Sequence, residues 1–131
     1  MEDRNPVVVE ENRFIKAPAE RVFTFLTVGS ELAKWWPMAA ESEPKAGGKL
    51  VLVWFGENKL TTKFDTFVEG QAVAFAFYTE SVAFDLKAED EGTEWKVVHR
   101  CSTESCIHVA QSWGFLAANL KSVIETGYDL R

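Results

Sequence analysis

The stretch AVAFAFY, Ala72 to Tyr78, constrains the fold more than any other part of the chain. Val73, Phe75 and Phe77 alternate with Ala72, Ala74 and Ala76, and only a period-two strand sorts the large side chains onto one face and the small ones onto the other. The alternation continues in Val82, Phe84 and Leu86 against Ala83, Asp85 and Lys87. After the turn Glu89-Asp90-Glu91-Gly92 it resumes in Trp95, Val97, His99 and Cys101 against Glu94, Lys96, Val98 and Arg100. Two strands precede these. One runs from Lys49 to Phe55, opened by Gly47-Gly48 and turned at Gly56-Glu57-Asn58; the other runs from Leu60 to about Val68 and turns at Glu69-Gly70. A sheet with one bulky face needs a cover.

The C-terminal third supplies it. From Ser102 or Thr103, either of which offers an N-cap oxygen, the chain reads as one long helix ending near Gly127, with Val109, Trp113, Leu116, Leu120 and Val123 at helical spacing. Cys106 to Leu120 contains no Asp, Glu, Lys or Arg. His108, Gln111, Ser112 and Asn119 interrupt it, and it is too short for a membrane span of about 20 apolar residues. A helix covered on more than one side fits, and its uncharged outer side offers a surface for a homodimer.

The N-terminal part reads as a strand from Val7 to Lys16, then a helix from Pro18 to Val28 stopped by Gly29. Ser30 is expected to cap a second short helix, with Leu32, Trp35 and Trp36 on one side and Pro37 ending it. The acidic residues that follow read as a connection. The order is strand, two short helices, about six antiparallel strands and one long helix: an α+β fold, and a single domain over residues 1–131, close to the modal domain size.

A net charge of −6 and a pI near 5.0, with no Lys/Arg cluster, exclude a phosphate-backbone binder and so a nucleic-acid partner. The start MEDRNPVVVEEN lacks the charged-then-apolar pattern of an export signal, so a cytoplasmic location is expected. Cys101 and Cys106 are too few for a disulfide framework and read as reduced thiols. Phosphate-loop and GxGxxG signatures are absent, and no cofactor is expected.

Five segments together carry a family resemblance: IKAPAERVFTFLT, LAKWW, the Gly47-Gly48 strand opener, EGTEWKVVH, and SWGFLAANLKSVIETGYDLR. In order and spacing they resemble the START-like helix-grip superfamily, and within it the group named for the activator of the ninety-kilodalton heat-shock protein's ATPase. The resemblance implies a helix-grip fold, with a curved antiparallel sheet of about seven strands around the C-terminal helix. It also implies a cavity between them suited to lipids, sterols or polyketide-like molecules. Relatives include binding proteins, cochaperone domains, and aromatase and cyclase enzymes. Chaperone-activating members typically carry an additional N-terminal domain for which 131 residues leave no room, so a chaperone partner is the second expectation.

The cavity reading assigns ligand contact to Trp35, Trp36, Phe75, Phe77, Phe84, Trp95, Val97, His99, Trp113, Leu116 and Leu120. Plain core packing is the competing reading of the same rings. On the cavity reading, Trp113→Ala should affect ligand affinity more than stability. His99, on the inward face of its strand, is either a neutral core residue or a general base for a cyclase-like or hydrolase-like enzyme. No carboxylate pair stands out as acid and base, and no catalytic residue is assigned. His99, Cys101, Cys106 and His108 are zinc-ligand types, but their spacing is unlike that of closed zinc sites, and no metal is assigned. The expectation is a noncatalytic module that binds a hydrophobic small molecule.

Overall fold

A computed structural model describes residues 3–131; the first two residues of the acidic start, and of domain 1–131, lie outside the described residues. The elements follow in the order β1 (Val7–Ile15), α1 (Ala19–Thr27), α2 (Gly29–Leu32), β2 (Ala39–Ser42), β3 (Lys49–Val53), β4 (Lys59–Val68), β5 (Ala72–Phe77), β6 (Glu80–Glu89), β7 (Gly92–Cys101) and α3 (Cys106–Thr126). The seven strands form one antiparallel sheet in the order β1-β7-β6-β5-β4-β3-β2. Because β1 joins β7, the short helices carry the chain from one edge of the curved sheet to the other, while α3 packs on β1 and β7.

Period two works as expected: Val73, Phe75, Val82, Phe84, Trp95, Val97, His99 and Cys101 are all buried. A register shift between Phe64 and Thr66 bulges β4, a device that bends a strand and sharpens its twist. Gly48 is needed at the start of β3 because a Cβ there would lie 1.9 Å from the Glu43 carbonyl oxygen. Gly127, at φ 77, ends α3 with its N–H on the Val123 carbonyl.

Three local expectations are corrected. Ala39–Ser42, read as a connection, is the edge strand β2, paired with β3 from Ala39↔Val53 to Ser42↔Leu50; its weak strand formers are held by that pairing, not by propensity. The second helix is only Gly29–Leu32. Val28, not Ser30, precedes it, Gly29 opens it instead of stopping the first, and its amide donates to Ser42 Oγ. Trp35 and Trp36 therefore sit in the turn beyond it. The long helix begins at Cys106, since Ser102 Oγ accepts from the Ser105 N–H and closes a separate turn first.

Candidate functional site

The turn after α2 places two adjacent tryptophans on different tasks. Trp35 is fully buried, its indole N–H donating to the Phe25 carbonyl at 2.7 Å, with its ring against Phe84 and Trp95. Trp36 points to the end of the core, 5.2 Å from Trp113, 5.8 Å from Phe77 and 5.9 Å from Trp54 between centroids. Tethers from the other end of the chain hold this turn. Buried Asn119 on α3 donates to the Trp35 carbonyl, and Arg131 donates to the carbonyls of Ala33, Trp36 and Pro37. Asp129 pairs with Arg131, whose hydrogen bonds hold its carboxyl down at about 2.

Where the core ends, a recess of about 250 Å³ remains between α3 and the sheet. Phe77 and His99 wall it from the sheet, Trp36 and Trp54 from the turns after α2 and β3, and Val109, Trp113 and Leu116 from α3. Ser112 and exposed His108, one turn apart on α3, form its polar rim.

His99, only 2% exposed, lies in a chain of hydrogen bonds at the recess wall. The Trp113 indole N–H donates to Nδ1 at 2.8 Å, and Nε2 lies 2.7 Å from Glu80 Oε1. An indole N–H can only donate, so Nδ1 holds a lone pair and Nε2 carries the proton it gives to Glu80. Burial holds the His99 pKa below its ordinary value, against the opposing pull of Glu80, in accord with a neutral ring. Burial pushes the Glu80 carboxyl up, but hydrogen bonds from Ser105 Oγ, His99 and the Ser102 N–H, with the charge His99 can carry, outweigh it and leave the pKa lowered. Both ring nitrogens are thus engaged, and neither is free to accept a proton from a bound molecule.

Of the residues expected to line a cavity, the structure brings Trp36, Phe77, His99, Trp113 and Leu116 to the recess. Trp35, Phe75, Phe84, Trp95, Val97 and Leu120 lie in the solid core beneath. Trp54, Val109, Ser112, His108 and Glu80 complete the site; from sequence Val109 is read only as part of the helix stripe and His108 only as a zinc-ligand type, and Trp54, Ser112 and Glu80 are given no site role. Two were signalled by parity: Leu50, Leu52 and Trp54 share one strand face, and Glu80 shares the inward face of Val82 and Phe84. Glu80 supplies His99 with a carboxylate partner that is not visible in the sequence. The zinc-type string does not converge: both His99 nitrogens are taken, Cys106 Sγ lies 3.3 Å from the Thr103 carbonyl oxygen, and His108 stands at the rim. Burial, then the charges of Glu80 and Cys106, push the Cys101 thiol up despite a hydrogen bond with Ser105. Among the described residues no three His, Cys, Asp or Glu side chains are grouped to hold a metal.

A seven-stranded antiparallel sheet closed on a long C-terminal helix, with a recess between them, defines a START-like helix-grip protein. Residues 16–125 match the model of the family described as "Activator of Hsp90 ATPase homolog 1-like protein", and the chain belongs to that family. Solved structures share the fold at low identity. Protein SSP2350 from Staphylococcus saprophyticus superposes with a TM-score of 0.84 at 15% identity, over 95% of this chain and 96% of that one. The Aha1 dimer from Colwellia psychrerythraea gives 0.80 at 20% identity, over 92% and 98%. DynU16, a protein in the dynemicin biosynthetic locus, gives 0.80 at 18% identity, over 99% of this chain and 52% of that one. No curated protein sequence matches the chain. No helix among the described residues is long and apolar enough to cross a membrane.

Proposed function

We propose that the protein binds an apolar small molecule in the recess between the sheet and α3. The observation that carries this reading is the unfilled volume of about 250 Å³ beside a core that is otherwise closed by interlocking rings. Protein interiors pack to crystal-like density, so a ring-lined recess open at a polar rim is characteristic of small-molecule sites and uncharacteristic of a finished core. The engaged nitrogens of His99 support carriage over conversion, since an enzyme using His99 as base needs one of them free. The likeness to a protein of the dynemicin biosynthetic locus is in keeping with small-molecule handling.

Native mass spectrometry of freshly purified protein tests the reading. A retained apolar mass is expected, and Leu116→Trp, which fills the recess, should abolish it. A bare protein mass together with no response to any apolar probe rejects it.

Self-association is a second reading with its own observation. Ile107 is 72% and Phe115 45% exposed on the charge-free outer side of α3, and the Colwellia neighbour was solved as a dimer. Light scattering should show a dimer that Phe115→Lys dissociates; a monomeric wild-type mass dismisses this reading.

A further inference from the structure

The recess has a fixed inner limit. Trp54 and Phe77 meet edge-to-face, 5.8 Å between centroids, and the same two rings bound a shallow surface depression with Asn58 and Tyr78. They form a partition between two hollows. Behind it, Tyr78 packs on Phe77 at 5.1 Å from the two-residue turn joining β5 to β6. Its φ of 57 lies in a region that residues other than glycine rarely adopt, so the turn places this ring at a conformational cost.

The partition makes size decisive. A cavity of about 150 Å³ accommodates benzene, so the 250 Å³ here scales roughly as ten ring carbons do to six. Two fused rings fit that space, whereas a four-ring sterol nucleus needs about three times the benzene volume. The walls are aromatic faces and edges suited to another aromatic ring. With both His99 nitrogens engaged and the indoles of Trp36 and Trp54 able only to donate, the lining side chains that can also accept are those of Ser112 and His108, both at the rim. The polar end of a ligand therefore belongs outward, where the Ser112 hydroxyl can donate or accept.

We infer that the recess takes a flat aromatic compound of one or two fused rings carrying a hydroxyl group, ring inward and hydroxyl on Ser112, and that the Trp54–Phe77 partition keeps larger ring systems from seating fully. This inference rests on the small-molecule binding proposed above and names the class of ligand.

Titration of the folded protein with 2-naphthol and, separately, with testosterone, followed by the tryptophan indole N–H signals in NMR, tests it. 2-Naphthol should move the signals of Trp36, Trp54 and Trp113 and leave Trp35 and Trp95 in place. Ser112→Ala should weaken 2-naphthol binding about five- to tenfold, the worth of one hydrogen bond. Testosterone should bind the wild type far more weakly than 2-naphthol and gain affinity in Trp54→Ala, whose fold is verified by the undisturbed Trp35 and Trp95 signals. Testosterone binding to the wild type as tightly as 2-naphthol, or no gain in Trp54→Ala, overturns the size limit while the recess stands as a binding site. If neither compound nor sodium oleate moves the three recess indoles, the binding function falls as well.

Discussion

Replacing Trp113 by Phe removes the donor that occupies His99 Nδ1. The indole N–H reaches Nδ1 at 2.8 Å inside a site where His99 is almost wholly buried. A phenyl ring preserves most of the contacts with Trp36 and Phe84 but leaves Nδ1 without a partner, at about 1–3 kcal/mol for an unsatisfied buried acceptor. The smaller ring adds about 1 kcal/mol for lost packing. Urea unfolding at pH 7.5 should therefore show a loss of about 2–4 kcal/mol.

Titration distinguishes this account from a simple packing loss. Because the folded pKa of His99 is held below the ordinary 6.5, both folded and unfolded rings are neutral above that pH and contribute no slope. As pH falls below 6.5 the unfolded ring takes up a proton that the folded ring refuses. Stability then drops with a slope approaching 1.4 kcal/mol per pH unit, about one proton's worth, until the folded pKa is reached. In Trp113→Phe the freed Nδ1 can accept the proton beside Glu80, the folded pKa rises toward the ordinary value, and the slope below pH 6.5 should cover a narrower pH range with a smaller loss of stability. Long-range ¹⁵N–¹H correlation of the imidazole reports the tautomer directly. A wild-type His99 with its proton on Nδ1, or an unaltered slope in the variant, refutes the reasoning.

Three further outcomes follow from the hydrogen-bond pattern. Glu80→Gln removes the charge that supports protonation of His99 and turns an amide N–H₂ toward the Ser105 and Ser102 donors, so the His99 pKa should fall further in an NMR titration and urea unfolding should show a loss of about 1–3 kcal/mol. Asn119→Ala strands the Trp35 carbonyl and the Leu130 N–H and should cost about 2–3 kcal/mol in urea unfolding, with the Trp36 indole signal shifted as its turn loosens. Trp35→Phe and Trp95→Phe should differ by about 1–3 kcal/mol in thermal unfolding, because the Trp35 indole N–H has the Phe25 carbonyl while the buried Trp95 Nε1 has no partner to lose.

Much of this architecture is legible in the sequence because it rests on period. The inward residues of β5, β6 and β7 and the stripe on α3 announce themselves by spacing alone, and the same parity rule extends to Trp54 and Glu80. What spacing cannot carry is pairing between distant segments. The strand β2 exists through β3, and Asn119 looks like a polar interruption of a helix until the Trp35 carbonyl comes to it. The tautomer of His99 is likewise set by a neighbour 14 positions away in sequence. Period reports where a side chain points, and the opposing element decides whether space is left in front of it.

That distinction changes which residues can test function. The sequence suggested that Trp113→Ala should reach ligand affinity before stability, yet Trp113 is 3% exposed, contacts Trp36 and Phe84, and holds His99. Truncating it creates a cavity and an unpaired acceptor together, at about 3–5 kcal/mol, so the fold suffers before any ligand is lost. Wall and core are the same rings here, with Trp36 and Trp113 facing the recess on one side and the closed interior on the other. Stability and binding separate only at the margins of the recess, at half-buried Trp54 and at Ser112 on the rim, where a side chain can change without opening the core. A loss of 2-naphthol binding at those two positions with unfolding unchanged is the signature of a recess that serves a ligand; equal losses of both would mark it as a defect of packing.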